Sequence, residues 1–412
     1  MRLRPRGFLT LLTLLALAAC ATEPAPPKVM LPAFRTPSDA VFPAPPDLQP
    51  QIAFWRNVYA AWSRRQVALH DDRYLDIVYG VLTLPGPVGE TQTDDQKDFV
   101  KGHYENLKDL LRQAEYKTAA NIPLTPPEQA LANHIKASSG GPAALIGASD
   151  RLRSQRGMRE RFKRGLEISG RYDSAFRGVF REAGLPEDLA YLPHVESSFQ
   201  NHAASSAGAV GMWQFMPGTA RQFGMLNAAV DERRDPVAAA QGAARYLRNA
   251  YDSLETWPLA LTSYNHGVGG MKRAREAFGN NFTAIVRNYS GTGFGFASRN
   301  FYAEFLAARD IARDPRRFFP EGIGYEPPLN LDRVRLRQTV DVATLASYYQ
   351  VTPWELNGLN MAWNGAARQG RIPLPAGTLV WLPAGTVARL AQRGAADQAL
   401  ALADTVTTVR LR

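Results

Sequence analysis

Residues 185–199 read LPEDLAYLPHVESSF and predict a short helix near the centre of the chain. Pro186 suits the first helical turn, because the N–H that proline lacks would have no partner there in any case. At about 100° per residue, four side chains after it share one arc of the helix surface. These are Leu189, Leu192, Glu196 and Phe199. We therefore expect one carboxylate on an otherwise apolar helix face.

Glu196 stands out because glutamate rarely lies on an apolar face. Removing its charge from water is unfavourable, so burial raises the pKa of a carboxyl group. A carboxylic acid that stays protonated near neutral pH is the group that general-acid cleavage of a glycosidic bond requires. The helical pattern alone leaves two alternatives open: an edge position that reaches water, or an ion pair with an arginine.

The surrounding residues, 172–315, predict a series of helices. One apolar face is formed by Phe176, Val179, Phe180 and Ala183, and Gly184 follows it. Asp235 and Pro236 are typical of a helix start, and the residues from Pro258 to Gly267 read as another complete helix. The composition, 45% hydrophobic and 21% charged over 412 residues, fits a folded chain of two or three domains. We expect a mainly α fold.

Three sequence blocks follow one another in this helical part. Small residues and glycines after Glu196 allow a backbone and an extended ligand to approach closely. The blocks are Glu196-Ser197-Ser198-Phe199, GAVGMWQFMP at residues 208–217 and SYNHG at residues 263–267. In this order and spacing, residues 185–306 resemble the soluble lytic transglycosylase family, whose catalytic domain is goose-lysozyme-like. The resemblance implies a lysozyme-like helical catalytic domain, placed at residues 151–320.

The resemblance also implies a reaction. Glu196 would protonate the glycosidic oxygen between N-acetylmuramic acid and N-acetylglucosamine in peptidoglycan. As a carboxylate it would then take the proton from the muramoyl C6 hydroxyl, which closes onto C1 and leaves a 1,6-anhydro end. One acid would suffice, unlike the two carboxylates of most glycosidases. No cofactor is implied.

By the same match, five residues would line the sugar subsites: Ser205, Gln214, Met216, Tyr264 and Asn265. Tyr264 would form hydrogen bonds near the reacting centre. Other interpretations stay open, since Met216 and Phe215 also suit core packing, and Ser205 and Asn265 suit capping or turn positions.

One block departs from the family pattern. Where many relatives read Glu-Thr-Arg, this chain reads Ala297-Ser298-Arg299, so a supporting carboxylate is missing from that position. Glu304, which follows on the same predicted helix, either replaces it or lies on the surface.

The N-terminus predicts export. Arginines at positions 2, 4 and 6 precede the apolar run 8–19, which is too short to span a bilayer and suits a signal peptide. Leu17-Ala18-Ala19-Cys20 resembles a bacterial lipobox, which implies cleavage before Cys20 and lipidation of its thiol. Because Ala21 follows, the resemblance to bacterial lipoproteins implies a Gram-negative outer-membrane lipoprotein facing the periplasm. The alternative is a secreted protein without a lipid. Nine prolines make residues 21–50 an extended spacer.

The remaining regions are assigned more coarsely. Residues 51–150 read as helical, from the spacing of Ile52, Trp55, Val58, Tyr59 and Trp62. Residues 328–385 predict two strands with two helices between them and resemble a diverged LysM module, a small α+β unit. Its Trp354, Trp363 and Trp381 could stack on sugar rings, although Trp381 also suits a core. Residues 386–412 form a tail without an assignment.

Several functional classes are disfavoured. His194 and His202 lack further convergent ligands, so no metal site is predicted. The net charge of +10 fits anionic partners such as a membrane surface or the carboxylates of peptidoglycan stem peptides, and no nucleic-acid site is predicted. Cell-wall synthesis or division proteins are conceivable partners that the sequence does not identify. Two rival functions remain: a hydrolytic muramidase on the same fold, and a non-catalytic peptidoglycan-binding lipoprotein.

Overall fold

The structure is a computed structural model that describes residues 40–392 and, for the backbone alone, residues 403–405. The predicted signal peptide, Cys20, residues 21–39 of the spacer and most of the tail lie outside the described residues. Within the described part of the chain, no helix combines the length and the apolar character needed to cross a membrane.

The N-terminal region combines helices with a small sheet. Its elements are α1 (Gln49–Arg56), a π-helical turn (Asn57–Ala61), β1 (Gln66–Asp71), β2 (Val78–Thr83), α2 (Asp94–Ala119) and α3 (Pro126–Lys136). Strand β3 (Leu152–Arg156) completes an antiparallel sheet in the order β2-β1-β3. The helical reading of residues 51–150 is therefore wrong for residues 66–83. The helical spacing ends at the π-helical turn, and the β-branched and apolar residues beyond it fit a pleated, buried strand.

Ten helices follow. They are α4 (Arg159–Ser169), α5 (Asp173–Glu182), α6 (Leu192–Glu196), α7 (Pro217–Gln222), α8 (Pro236–Leu254), α9 (Trp257–His266), α10 (Val268–Phe278), α11 (Phe282–Asn288), α12 (Phe296–Arg313) and α13 (Pro315–Phe318). The chain is mainly helical, as predicted. Helix α12 packs against α1, α6 and α9, so it joins the N-terminal region to the centre of the helical body.

Local signals placed two of these helices correctly. Asp235 caps α8 by accepting hydrogen bonds from the backbone N–H groups of Val237 and Ala238, each at 2.9 Å. Gly267 follows the last residue of α9 with a φ of 84°, a backbone conformation that suits glycine.

The C-terminal unit contains the two strands and the two helices that its sequence predicts, and two further short helices. In chain order its elements are β4 (Leu331–Leu336), α14 (Val342–Tyr349), α15 (Pro353–Leu359), α16 (Gly365–Arg368), β5 (Leu379–Pro383) and α17 (Thr386–Ala391). The helices that were not predicted are α16 and α17, and α17 lies in the stretch that had no assignment. Strands β4 and β5 pair antiparallel with Val334 opposite Val380, and the backbone of β6 (Ala403–Thr405) pairs along the other edge of β4.

The core of this unit extends into the helical body. Ala229 and Val230, from the segment before α8, are buried among its apolar side chains. The backbone of Val230 bridges to that of Trp363, and Asp231 N–H donates to the Ala362 carbonyl at 2.7 Å. The C-terminal unit is therefore packed on the segment that leads into α8.

Candidate active site

Glu196 is the last residue of α6, and the chain turns sharply after it. Pro193 lies in the first turn of this five-residue helix, and a 3₁₀ turn at Glu187–Tyr191 precedes it. Ser198 and Phe199 have φ values of 53° and 59°, so both leave the helix in the left-handed region. Phe199 was expected on the same helix face, which is wrong. Its buried ring packs against His194 and Phe176 instead.

The Glu196 carboxyl group is mostly buried. Burial raises its pKa to about 8, and the negative charge of Glu304 adds to that rise. In the described part of the chain, no basic side chain lies within 4.0 Å of it. The alternative of an arginine ion pair is thus not realised, and near neutral pH the group carries the proton that a general acid donates.

Glu304 lies on α12 and faces Glu196 rather than open solvent. Burial raises its pKa to about 8, while a hydrogen bond from the Tyr59 hydroxyl, 3.3 Å from its Oε2, acts in the opposite direction. Tyr59 itself is buried, stacks on Phe162 and comes from the π-helical turn of the N-terminal region. The surface alternative for Glu304 is therefore wrong. A buried carboxyl stands near the acid, at a different position of the chain from the one that Ala297 occupies.

The loop at residues 203–216 carries three predicted subsite residues. Ser205 is exposed, and its hydroxyl accepts a hydrogen bond from Ala209 N–H at 2.9 Å, so it has the turn role left open by the sequence. Gln214 has a φ of 47°, and its amide donates to the Gly211 carbonyl at 2.7 Å. Met216 is 42% exposed, in contrast to Phe215, which is buried. Met216 is therefore free to contact a ligand.

The other two subsite candidates lie at the end of α9. The Tyr264 hydroxyl donates to the Trp213 carbonyl at 2.9 Å, and burial, with a smaller effect of Glu196, raises its pKa. Asn265 Oδ1 accepts a hydrogen bond from the Ser298 hydroxyl at 2.7 Å. Ser298 belongs to the divergent block, which thus supports Asn265 rather than the acid.

The loop is also held by Ser197, next to Glu196, and by Arg233, in the turn before α8. The Ser197 hydroxyl donates to the Met212 carbonyl at 2.9 Å. Arg233 donates to the carbonyls of Gly208 at 3.1 Å and Phe215 at 3.2 Å. Gly211 is required here, because its φ is 84° and an added Cβ would lie 1.9 Å from the Arg233 carbonyl oxygen. Hydrogen bonds from Ser197 and Arg233 therefore hold residues 208–215 of the loop.

Sequence reasoning missed Tyr59 and Arg233. Tyr59 was noted only as part of a helical apolar pattern, and nothing local marks its contact with a residue 245 positions away. The RR-Asp-Pro run before α8 points to a cap, but not to the carbonyls that Arg233 meets. The described residues contain no group of three or more His, Cys, Asp or Glu arranged to hold an ion.

Comparison with known proteins gives a family for the central part. Residues 180–285 match the family described as "Transglycosylase SLT domain". Membrane-bound lytic murein transglycosylase D of Escherichia coli K12 is 27% identical over 227 residues, which are 54% of this chain and 50% of that protein. Membrane-bound lytic murein transglycosylase F of Stutzerimonas stutzeri is 35% identical over 115 residues, 26% of this chain and 22% of that protein. The chain thus matches half or less of these relatives' length.

Two solved structures share limited similarity. An inactive mutant of the lytic transglycosylase Slt from Pseudomonas aeruginosa aligns with 37% of this chain and 24% of its own, at 20% identity and a TM-score of 0.29. The 70 kDa soluble lytic transglycosylase of E. coli aligns with 52% of this chain and 44% of its own, at 17% identity and a TM-score of 0.31.

Proposed function

On the premise that residues 180–285 form a transglycosylase SLT domain, we propose that this protein is a peptidoglycan lytic transglycosylase. It would cleave the β-1,4 bond between N-acetylmuramic acid and N-acetylglucosamine. The observation that carries the proposal is Glu196, a mostly buried carboxyl with a pKa raised to about 8 beside a loop that carries an exposed serine and an exposed methionine.

In the first step, Glu196 acts as the general acid. Its proton passes to the glycosidic oxygen, the bond from that oxygen to muramoyl C1 breaks, and positive charge develops at C1. Proton transfer by a positioned side chain contributes about 10²- to 10⁴-fold to such a reaction. Met216, Ser205 and Gln214 are suited to hold the sugars, because hydrogen bonds from outside their loop hold its backbone.

In the second step, the Glu196 carboxylate acts as the base. It removes the proton from the muramoyl C6 hydroxyl as O6 bonds to C1, so the acid is restored and no water is consumed. The Tyr264 hydroxyl is already engaged with the Trp213 carbonyl, which makes Tyr264 a part of the site wall more than a proton carrier.

The surroundings of Glu304 bear on the hydrolytic alternative. A hydrolase with two carboxylates needs the second one ionised, as a nucleophile or as a base that activates water. Glu304 is a second carboxyl near Glu196. The products of the reaction separate a hydrolysis that uses this second carboxyl from the single-acid reaction.

The surface of the C-terminal unit bears on how the protein meets the cell wall. Trp363 and Trp381 are only 3% and 6% exposed, so the idea that they stack on sugars is wrong. Trp354 is 83% exposed and is the tryptophan of the three that can contact a glycan. We propose that this LysM-like unit binds glycan through the face around Trp354, with Cys20 as a lipid anchor in the outer membrane.

The test of the reaction is the chemistry of the products. Purified protein is incubated with purified sacculi, and the released muropeptides are weighed by mass spectrometry. We expect ends that are lighter by one water than the hydrolysed product. Hydrated, reducing ends alone would establish the muramidase instead.

Glu196→Gln tests the assigned acid. It should fold and bind sacculi as the wild type does, and release should fall by about 10²- to 10⁴-fold. Glu276→Gln, an exposed carboxyl on α10, is the matched control and should leave release unchanged. Undiminished release by Glu196→Gln would refute the assigned acid. If the wild type itself released nothing, a non-catalytic wall-binding protein would be the better description.

A further inference from the structure

Two carboxyl groups are buried together at the end of α6 and on α12, and one of them has a hydrogen-bond donor. The Tyr59 hydroxyl lies 3.3 Å from Glu304 Oε2. Among the described residues, no donor forms a hydrogen bond with the Glu196 carboxyl, and no basic side chain lies within 4.0 Å of either carboxyl. The pair is therefore asymmetric, although both members are carboxyls in apolar surroundings.

This asymmetry decides where a shared proton resides. Two neighbouring carboxylates cannot both ionise easily, so one of them retains a proton over a wide pH range. A hydrogen bond donated to a carboxylate favours its ionised form. Tyr59 donates to Glu304, and this hydrogen bond lowers the pKa of Glu304, against the rise caused by burial. Negative charge is therefore directed to Glu304, and the proton to Glu196.

We propose that Glu304, held by the Tyr59 hydroxyl, is a positioning residue that keeps the proton on Glu196, so that the N-terminal region takes part in the catalytic site. The proposal rests on the proposed function, because it assigns a purpose to the protonated acid. Nothing at residues 51–150 had indicated a role in chemistry.

The way Tyr59 is held supports this role. Its ring is stacked on Phe162, with ring centroids 4.8 Å apart, and tilted against Trp55 at 5.6 Å. Helix α1 packs along α12, and the two are also joined by an ion pair between Arg56 and Asp310. The Tyr59 ring is thus held by Phe162 and Trp55, and its hydroxyl reaches Glu304 on α12.

Other charged and titratable groups lie on the elements that pack against α12 and α6. Four ion pairs are among them: Asp310 with Arg56, Asp188 with Arg177, Asp188 with Arg313, and Asp47 with Arg287. The set also includes Arg161 near the Ser197 carbonyl, the buried His194, Tyr191, Tyr264, His266, Arg316 and Arg317. The pKa of His194 is lowered to about 3 by burial, so this ring is neutral throughout the working range. The pH response of Glu196 is therefore set mainly by burial and by Glu304.

Glu304→Gln in the full chain tests the proposal. The variant keeps the size of the side chain and removes the charge, so Glu196 should ionise at lower pH. We expect the alkaline limb of the pH–release profile to move down by about 0.5 to 1 pH unit, which is about a 3- to 10-fold loss on that limb and little loss at acidic pH. Glu276→Gln is the control of equal charge change.

Tyr59→Phe should shift the limb in the same direction by a smaller amount, since the proton then moves partly to Glu304. The double variant should behave as Glu304→Gln alone. Tyr302→Phe is the control, because it removes another buried hydroxyl from α12. The Tyr302 hydroxyl donates to the Pro43 carbonyl at 2.9 Å, so its loss should not shift the profile. A loss that is equal at every pH in Glu304→Gln, or no shift at all, would overturn the proposal.

A direct reading separates this proposal from the proposed function. Carbon-13 NMR of labelled glutamate side chains, with the Glu196 signal identified from Glu196→Gln, follows its titration without substrate. If the protein released no anhydro ends but the Glu196 titration moved in Glu304→Gln, the proposed function would fail and the proton placement would stand. An unmoved Glu196 titration would overturn the placement whatever the products are.

Discussion

Two acidic sites of this protein differ in what surrounds them. Asp235, at the junction of α8 with the C-terminal unit, accepts hydrogen bonds from two backbone N–H groups and from Trp381 Nε1 at 2.7 Å, with the Arg333 guanidinium 3.9 Å away. The site of Glu196 and Glu304 has one tyrosine hydroxyl, which donates to Glu304 alone, and no cation within 4.0 Å among the described residues.

The number of hydrogen-bond donors distinguishes an acid that stabilises the fold from an acid suited to chemistry. Where an acid is fully supplied with donors, its charge is stabilised and joins two parts of the fold. Where donors are withheld, the carboxyl retains its proton and the site gives up stability for reactivity. Three changes test this division, in order of decreasing expected effect on the free energy of unfolding.

Asp235→Ala should have the largest effect. It removes the cap of α8 and leaves the Trp381 N–H and the Arg333 guanidinium without their buried partner, so we expect a loss of about 3–5 kcal/mol. Urea unfolding followed by tryptophan fluorescence measures it. Asp341→Ala removes the exposed cap of α14, which Thr344 N–H reaches at 2.8 Å, and should cost about 1 kcal/mol. Equal losses would mean that burial of Asp235 adds nothing to a simple cap.

Gly211→Ala should have an intermediate effect, because it strains the link between this junction and the loop at residues 203–216. The new Cβ meets the Arg233 carbonyl, and we expect a loss of about 1–3 kcal/mol together with weaker release from sacculi. Thermal melting and the release assay measure the two effects. Gly218→Ala, where nothing lies within 4 Å of the added Cβ, is the control. An unchanged stability of Gly211→Ala would show that the loop can shift away from the Arg233 carbonyl at no cost.

Glu196→Gln should have the smallest effect on stability, and its sign should be positive. The pKa of Glu196 is 4.5 as an isolated group and about 8 in the fold, so only the folded state binds this proton between those values. Folding therefore loses stability as pH rises through that window, and glutamine removes the loss. The variant should gain on the order of 1–2 kcal/mol at pH 8, after allowance for partial exposure, and almost nothing at pH 4.5. Melting curves at both pH values test this; a gain that is independent of pH would contradict it.

The sequence predicts what is local and repetitive. Asp235 with Pro236, and Gly267 after α9, mark helix ends because caps and left-handed glycines act within a few residues. The candidate acid could likewise be named, since a glutamate on an apolar stripe within three motif blocks is a local pattern.

Long-range contacts limited the rest. Phe199 was predicted on the helix because its spacing from Glu196 is helical. The helix instead ends at Glu196, and the left-handed turn at Ser198 buries the Phe199 ring by another route. Strand β1 was missed because its place in the sheet depends on pairing with β3, which lies about 80 residues further on. Strand β2 was missed because it pairs in turn with β1. The Tyr59 contact with Glu304 joins residues 245 positions apart, and no local pattern reports it.

The pairing of β3 with β1 has a consequence for how the chain can be divided. A fragment that begins at residue 151, the predicted start of the catalytic domain, retains β3 but lacks β1, the strand with which β3 pairs, and it lacks Tyr59 as well. The family match at residues 180–285 also excludes Glu304. The smallest piece able to retain both carboxyls and the Tyr59 hydroxyl begins upstream of α1 and continues through α12. Trimming this protein to its recognisable domain would therefore discard one carboxyl and its hydroxyl partner while leaving the acid in place.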